Sequence, residues 1–212
     1  MIKIDIISDA VCPWCFIGKK RLDEALNKFK NHKFDINWHA FQLNPTMPSK
    51  GMERKLYLNS KFGGENRADE IYKNIELAGI SSNIKFNFDK ITTMPNSFNA
   101  HILIEFSKEQ NLQNKISEEL FNAFFIEGKN IGESNILLEL ANKNNILNFS
   151  KQIFTERKDL IENVQKSDTT SRDRGISGVP FFIINDNYAV SGAQESQVFE
   201  KIFETCLLEE KN

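Results

Sequence analysis

Cys12-Pro13-Trp14-Cys15 sets two thiols two residues apart, close enough to close a small disulfide. The pair falls where an apolar strand pattern hands over to helical spacing, and that location matters more than the spacing. A thiol at a helix start faces unpaired backbone N–H groups and the positive end of the helix dipole, which favour its anion. The thiolate is the form that attacks disulfides, so Cys12 is the expected nucleophile. Cys15, one turn further on, is expected to be more buried and less ionised, suited to resolving a mixed disulfide. Pro13 and Trp14 fix the backbone between them and set an aromatic face beside the sulfur.

Gly178-Val179-Pro180 is the second signal, because a proline that opens a strand cannot donate to the ladder. A cis Val179–Pro180 peptide gives it a purpose. It leaves the Val179 backbone free to pair with an extended substrate beside Cys12, and it keeps a metal-binding side chain out of that spot. Pro13, Trp14, Val179 and Pro180 are therefore the expected substrate-binding surface. A zinc or iron–sulfur site would need two ligands beyond the Cys12 and Cys15 pair, from one other cysteine and three histidines, so no metal is expected. Cys206 shares helical spacing with Phe199 and Phe203 and reads as a buried, inert thiol. His39 and His101 could face the cleft as proton carriers, although a structural histidine accounts for each more simply. Asp9 precedes Cys12 by three residues and could tune it, but Ser-Asp is also ordinary turn chemistry.

The elements that must position these groups are readable from periodicity. Ile2 to Ile7 read as a strand running into the turn Ser8-Asp9-Ala10-Val11. Phe16, Ile17, Leu22, Leu26 and Phe29 recur at helical spacing from the cysteines onward. Residues 34–41 alternate again, completing a βαβ unit that Asn44-Pro45 and Met47-Pro48 terminate. From about 50 to 170 the pattern is helical without strand signals. Val179 to Ile184 is then a strand, Asn185-Asp186-Asn187 a tight turn, Tyr188 to Ser191 the hairpin mate, and Gln194 to Leu208 a closing amphipathic helix. The order is β-α-β, a long helical block, then β-β-α. Residues 1–45 and 170–212 are expected to form one discontinuous α/β domain, with 46–169 an all-helical insertion.

With 212 residues, 40% of them hydrophobic and 26% charged, the chain can bury a sizeable core. Its 27 basic and 29 acidic side chains give a formal charge of −2, and nucleic acid and anionic lipid are not expected partners. No stretch approaches the roughly 20 apolar residues of a membrane helix, and the N-terminal apolar run is too short and too acidic for a signal peptide. A cytoplasmic protein is expected, and three cysteines argue against a disulfide-stapled secreted scaffold.

Ser8 to Cys15 after a first strand, and Gly178-Val179-Pro180-Phe181-Phe182 after a helical block, resemble the DsbA-like thioredoxin family, closest to its cytosolic FrnE-type branch. Pro95 to His101, Phe121 to Gly132 and Ser191 to Gln194 extend the resemblance over nearly the whole chain. Ser97 stands where the family pattern usually has Thr, and Ile102 where it usually has a basic residue. The resemblance implies a thioredoxin-like α/β fold with a helical insertion over the site, and a thiol–disulfide oxidoreductase or isomerase. It makes Cys12 the nucleophile, Cys15 the resolving thiol and Pro180 the cis-proline. No cofactor is implied beyond a redox-active Cys12–Cys15 disulfide; glutathione is a possible co-substrate, and protein or small-molecule thiols and disulfides are the partners. Kappa-class glutathione transferases and 2-hydroxychromene-2-carboxylate isomerases resemble the same plan but use glutathione with a catalytic serine, where this chain has Cys12. A glutathione-dependent transferase or isomerase is thus the alternative. A third reading is a binding module whose 18 phenylalanines capture apolar segments, but Phe124, Phe125 and Phe154 fall at core spacing, which favours packing.

Overall fold

Ile2, Ile4 and Ile6 alternate with polar residues and are buried along one face of β1 (Ile2–Ser8). The computed structural model describes residues 1–210 of the chain. Helix α1 (Pro13–Lys28) crosses from β1 to β2 (Phe34–Ala40), which runs parallel to it in the register Ile2↔Phe34 to Ser8↔Ala40. The insertion contains β3 (Met52–Glu53), α2 (Arg54–Phe62), α3 (Glu65–Ser81), β4 (Thr93–Met94), α4 (Phe98–Ser107), α5 (Gln113–Phe125), α6 (Ser134–Lys143) and α7 (Ile153–Glu156). Helix α8 (Lys158–Asp173) then leads to β5 (Phe181–Ile184), β6 (Tyr188–Ser191) and α9 (Ser196–Glu209).

Strand β5 pairs antiparallel with β1, Ile4↔Ile184 to Ile7↔Phe181, and β6 pairs antiparallel with β5, giving the order β2-β1-β5-β6. The two ends of the chain therefore build one sheet, as the β-α-β and β-β-α patterns predict. Asn185 and Asp186 both take left-handed conformations, with φ of 49° and 57°, which is the mirror-type turn that matches strand twist in a hairpin. One expectation needs correction: the insertion is not wholly helical. Met52 and Glu53 pair with Met94 and Thr93 in a ladder of two residues per strand, too short to leave a period-two pattern. Helix α8 also runs without a break through position 170, where the sequence reading puts its boundary.

On one face, β1 and the hairpin pack against α1 and α9, with Phe182 edge-on to Phe199 at 4.9 Å. On the other, Ile7, Phe41 and Ile176 form a small separate cluster. The insertion is joined to the sheet by rings: Phe16 on α1 stacks on Phe121 of α5 at 5.2 Å, Phe125 continues the stack, and Phe86 meets Phe125 edge-on. Edge strand β2 is finished by a side chain, since Gln113 of α5 accepts from Trp38 N at 3.2 Å and donates to its carbonyl at 3.4 Å. Lys19, almost wholly buried on α1, bonds Asp23 at 2.5 Å and Glu118 of α5 at 2.9 Å, a pairing that a buried cation requires.

Phe121 touches α1, β2 and α5 at once, so Phe121→Ala is expected to cost about 3–5 kcal/mol, read as a shifted urea midpoint at constant slope. A loss below about 1 kcal/mol would mean that the ring stack does not hold the insertion to the sheet.

Candidate active site

Pro13 starts α1, where its fixed φ and missing N–H cost nothing, and this places Cys12 at the N-cap with extended backbone, φ −97° and ψ 113°. A tight turn delivers it there: Cys12 N donates to Asp9 O at 3.0 Å. The fully buried Asp9 carboxylate accepts from Val11 N at 3.3 Å through Oδ1 and from Leu43 N at 2.7 Å through Oδ2. It thereby ties the turn before the cysteines to the loop after β2. From the far side, α8 holds that loop. Asp168 accepts from Gln42 N at 2.8 Å, while Arg172 donates to the Gln42 carbonyl and lies 4.2 Å over the Phe41 ring.

Cys12 makes no capping bond to its own helix; its Sγ donates instead to the Val179 carbonyl at 3.5 Å. Both cysteines are free thiols and nearly closed to solvent, Cys12 4% and Cys15 2% exposed. Burial pushes the Cys15 thiol well above the usual range, and the neighbouring Cys12 sulfur pushes it the same way. Hydrogen bonding from the Ser8 side chain and from the Asp9 backbone opposes both. Two thiols one turn apart thus have different surroundings, the asymmetry that distinguishes an attacking from a resolving cysteine.

The Val179–Pro180 peptide is cis, Pro180 is buried and Val179 half-buried, and the Pro180 carbonyl accepts from Gly192 N at 2.9 Å. This loop meets α1 at Gly18. A Cβ there would lie 2.9 Å from Pro180 Cγ and 3.2 Å from Phe182 Cζ, so only glycine lets the helix approach. Sequence reasoning missed Gly18, although a glycine inside a helical pattern is itself a signal of close approach. Cys12, Cys15, Pro13, Trp14, Val179 and Pro180 come from the α1 start and the loop before β5, with Trp14 38% exposed at the rim.

The other candidates divide. His39 on β2 pairs with Asp5 at 3.0 Å. His101 on α4 is buried with Nε2 3.3 Å from Asp9 Oδ1, an approach that the sequence does not announce. Cys206 is wholly buried on α9, its thiol raised first by burial and then by Glu209. Ser97 sits at the N-cap of α4 without a side-chain cap bond, and Ile102 is wholly buried.

A four-stranded sheet built from β-α-β and β-β-α halves, with a dithiol at a helix N-terminus facing a buried proline, defines a thioredoxin-like protein carrying a helical insertion. The chain matches the model of the DSBA-like thioredoxin domain over residues 3–204 and belongs to that family. It is 28% identical over 202 residues, 94% of either chain, to the uncharacterised protein YwbO of Bacillus subtilis. Its fold is similar to that of a probable DsbA oxidoreductase from Streptomyces coelicolor, at a TM-score of 0.85 and 22% identity, covering 99% of this chain and 91% of that one. It is similar also to DsbM, a cytosolic disulfide reductase from Pseudomonas aeruginosa, at 0.71 and 16% identity over 97% and 98%. A structure of DsbM with GSH matches at 0.62 and 17% identity, over the same shares of each chain.

Gly18→Ala would ordinarily gain about 1 kcal/mol in a helix interior. Against a proline ring the added methyl is expected to reverse the sign and cost about 1 kcal/mol net, read by urea unfolding. A more stable variant would show that the loop yields. In the native protein at neutral pH, iodoacetamide is expected to label Cys12 and spare Cys15 and Cys206, both raised by burial. Peptide mass spectrometry reads the outcome, and labelling of Cys15 as fast as Cys12 would contradict the division of roles.

Proposed function

We propose that this protein is a dithiol–disulfide oxidoreductase of the cytoplasm, acting on protein or small-molecule thiols and disulfides through Cys12 and Cys15. The observation that carries the reading is the Cys12 Sγ at a helix N-cap, 3.5 Å from the Val179 carbonyl, with the buried Cys15 thiol one turn behind it. The Cys12 thiolate attacks a substrate disulfide, forms a mixed disulfide and expels one substrate thiolate. Cys15 then loses its proton and attacks Cys12 Sγ; the Cys12–Cys15 bond closes, the second substrate thiolate leaves, and two electrons have passed to the substrate. With the pair oxidised, the same steps run in reverse.

The Val179 backbone offers an extended substrate main-chain partners beside the sulfur, and Pro13 and Trp14 supply the apolar rim. Likeness to a reductase named as cytosolic supports the compartment, and its complex with GSH supports glutathione as co-substrate or reductant. Among the described residues, no helix is long and apolar enough to cross a membrane.

Equilibration with glutathione buffers tests the reading. A single two-electron couple is expected, absent in Cys12→Ser; Cys15→Ser is expected to trap a Cys12–glutathione mixed disulfide, visible by mass. A potential near about −270 mV makes the protein a reductant, and one near about −120 mV an oxidant. If no reversible disulfide forms, the oxidoreductase reading fails, and a glutathione-dependent transferase or isomerase becomes the one to assay.

A further inference from the structure

The face of the sheet away from α1 carries Asp5, Ile7, His39 and Ile183, and between it and α8 lies a groove of about 360 Å³, within the size range of small-molecule sites. The sequence of α8 explains the space. Its inward stripe begins with Leu160 and Val164, both buried, and continues at the same spacing with Ser167 and Ser171. Both hydroxyls are satisfied within the protein, Ser167 Oγ donating to the Ala40 carbonyl at 3.2 Å and Ser171 Oγ to the Ser167 carbonyl at 2.9 Å. Serine where leucine or valine would fill the gap leaves the groove open over an apolar floor of Ile7, Ile176 and Ile183.

Charge along this groove is unbalanced. Lys166 and Arg174 line its α8 side and Lys108, on the turn after α4, lines it too. Among the described residues none of the three makes an ion pair or a side-chain hydrogen bond. Two carboxylates share the wall. Asp5 is taken by Lys3 at 2.9 Å and His39 at 3.0 Å; burial works to raise its carboxyl, but these two partners hold it below the usual carboxylate range. Glu105 accepts from Asn163 at 3.2 Å, so three cations face one uncompensated carboxylate, and a groove of that balance concentrates anions. The positive charge is also spread out. Helices α4 and α8 run antiparallel, Glu105 meeting Asn163 while Glu109 reaches Arg157, which sets Lys108 toward the start of α8. Arg174 ends α8, eight residues and about 12 Å of helix axis beyond Lys166. We propose that the groove is a second binding site, separate from the dithiol, for a small organic dianion whose two anionic groups are joined by an apolar chain, the chemistry of a medium-chain dicarboxylate. One carboxylate pairs with Lys108 and Lys166, the other with the Arg174 guanidinium, and the chain lies on the isoleucine floor. The proposal is independent of the thiol chemistry, since neither cysteine lines the groove.

Calorimetric titration of the full chain with octanedioate, octanoate and inorganic phosphate tests the assignment. Octanedioate is expected to bind with a dissociation constant below about 1 mM, and octanoate and phosphate at least about tenfold more weakly, because each lacks the second anionic end or the chain. The exposed cations can be removed without disturbing the core: Lys166→Ala and Arg174→Ala are each expected to weaken octanedioate by about five- to tenfold at an unchanged urea midpoint. Thr170→Phe, which fills the groove from α8, is expected to abolish binding. Methyl NMR locates the ligand, with shifts expected at Ile7, Ile176 and Ile183. A dissociation constant above about 1 mM, wild-type affinity in both charge variants, octanoate or phosphate bound as tightly as octanedioate, or shifts confined to Trp14 and the cysteines would each overturn the proposal.

Discussion

The approach of α1 to the Val179–Pro180 loop is the constraint on which the site depends. The pairing of β1 with β5 brings the residues before Phe181 to the end of β1, and the next turn of chain carries Cys12. A slip of one residue in that pairing would turn Ile4 and Ile6 out of the core and carry the loop away from the sulfur, so burial of the isoleucines enforces the register of the site. Gly18 completes the constraint. Any side chain there would lever the helix off Pro180 and Phe182, and Cys12 would move with the helix.

The insertion contributes by enclosure. Phe16, the residue after Cys15, is stacked on Phe121 and flanked by Phe125 and Phe86, and Cys15 belongs to the same buried core cluster. A low dielectric disfavours a lone buried thiolate, consistent with the raised Cys15 thiol. Lys19 pairs with Asp23 and, across the same α1–α5 seam, with Glu118, so the buried cation is compensated. Cys12, also buried, is hydrogen-bonded at the helix start to the Val179 carbonyl, and the next-but-one residue, Trp14, meets solvent.

Much of this was legible in the sequence because it rests on local patterns. The 2–7 and 34–41 alternations, the Asn185-Asp186 turn and the helical spacing after Cys15 each announce their element within a few residues. What escaped depends on contacts between segments distant in sequence. The β3–β4 ladder has two residues per strand and leaves no period. Gln113 completes a strand 75 residues away, and nothing in its neighbourhood announces that its amide mimics a backbone. His101 reads as one more member of an apolar helix until α4 is set against the end of β1, where it meets Asp9. Gly18 differs, since its cost inside a helix is a local signal whose partner, Pro180, only the fold supplies.

Asp9 shows why structural and chemical roles cannot be separated at this place. Its two oxygens serve the backbones of Val11 and Leu43, and that alone justifies a buried carboxylate, because charge-assisted bonds to N–H groups offset much of its desolvation. The same bonds fix its negative charge beside His101 and behind the turn that carries Cys12. The interaction that makes the turn also fixes a carboxylate, three residues before Cys12, at 3.3 Å from His101.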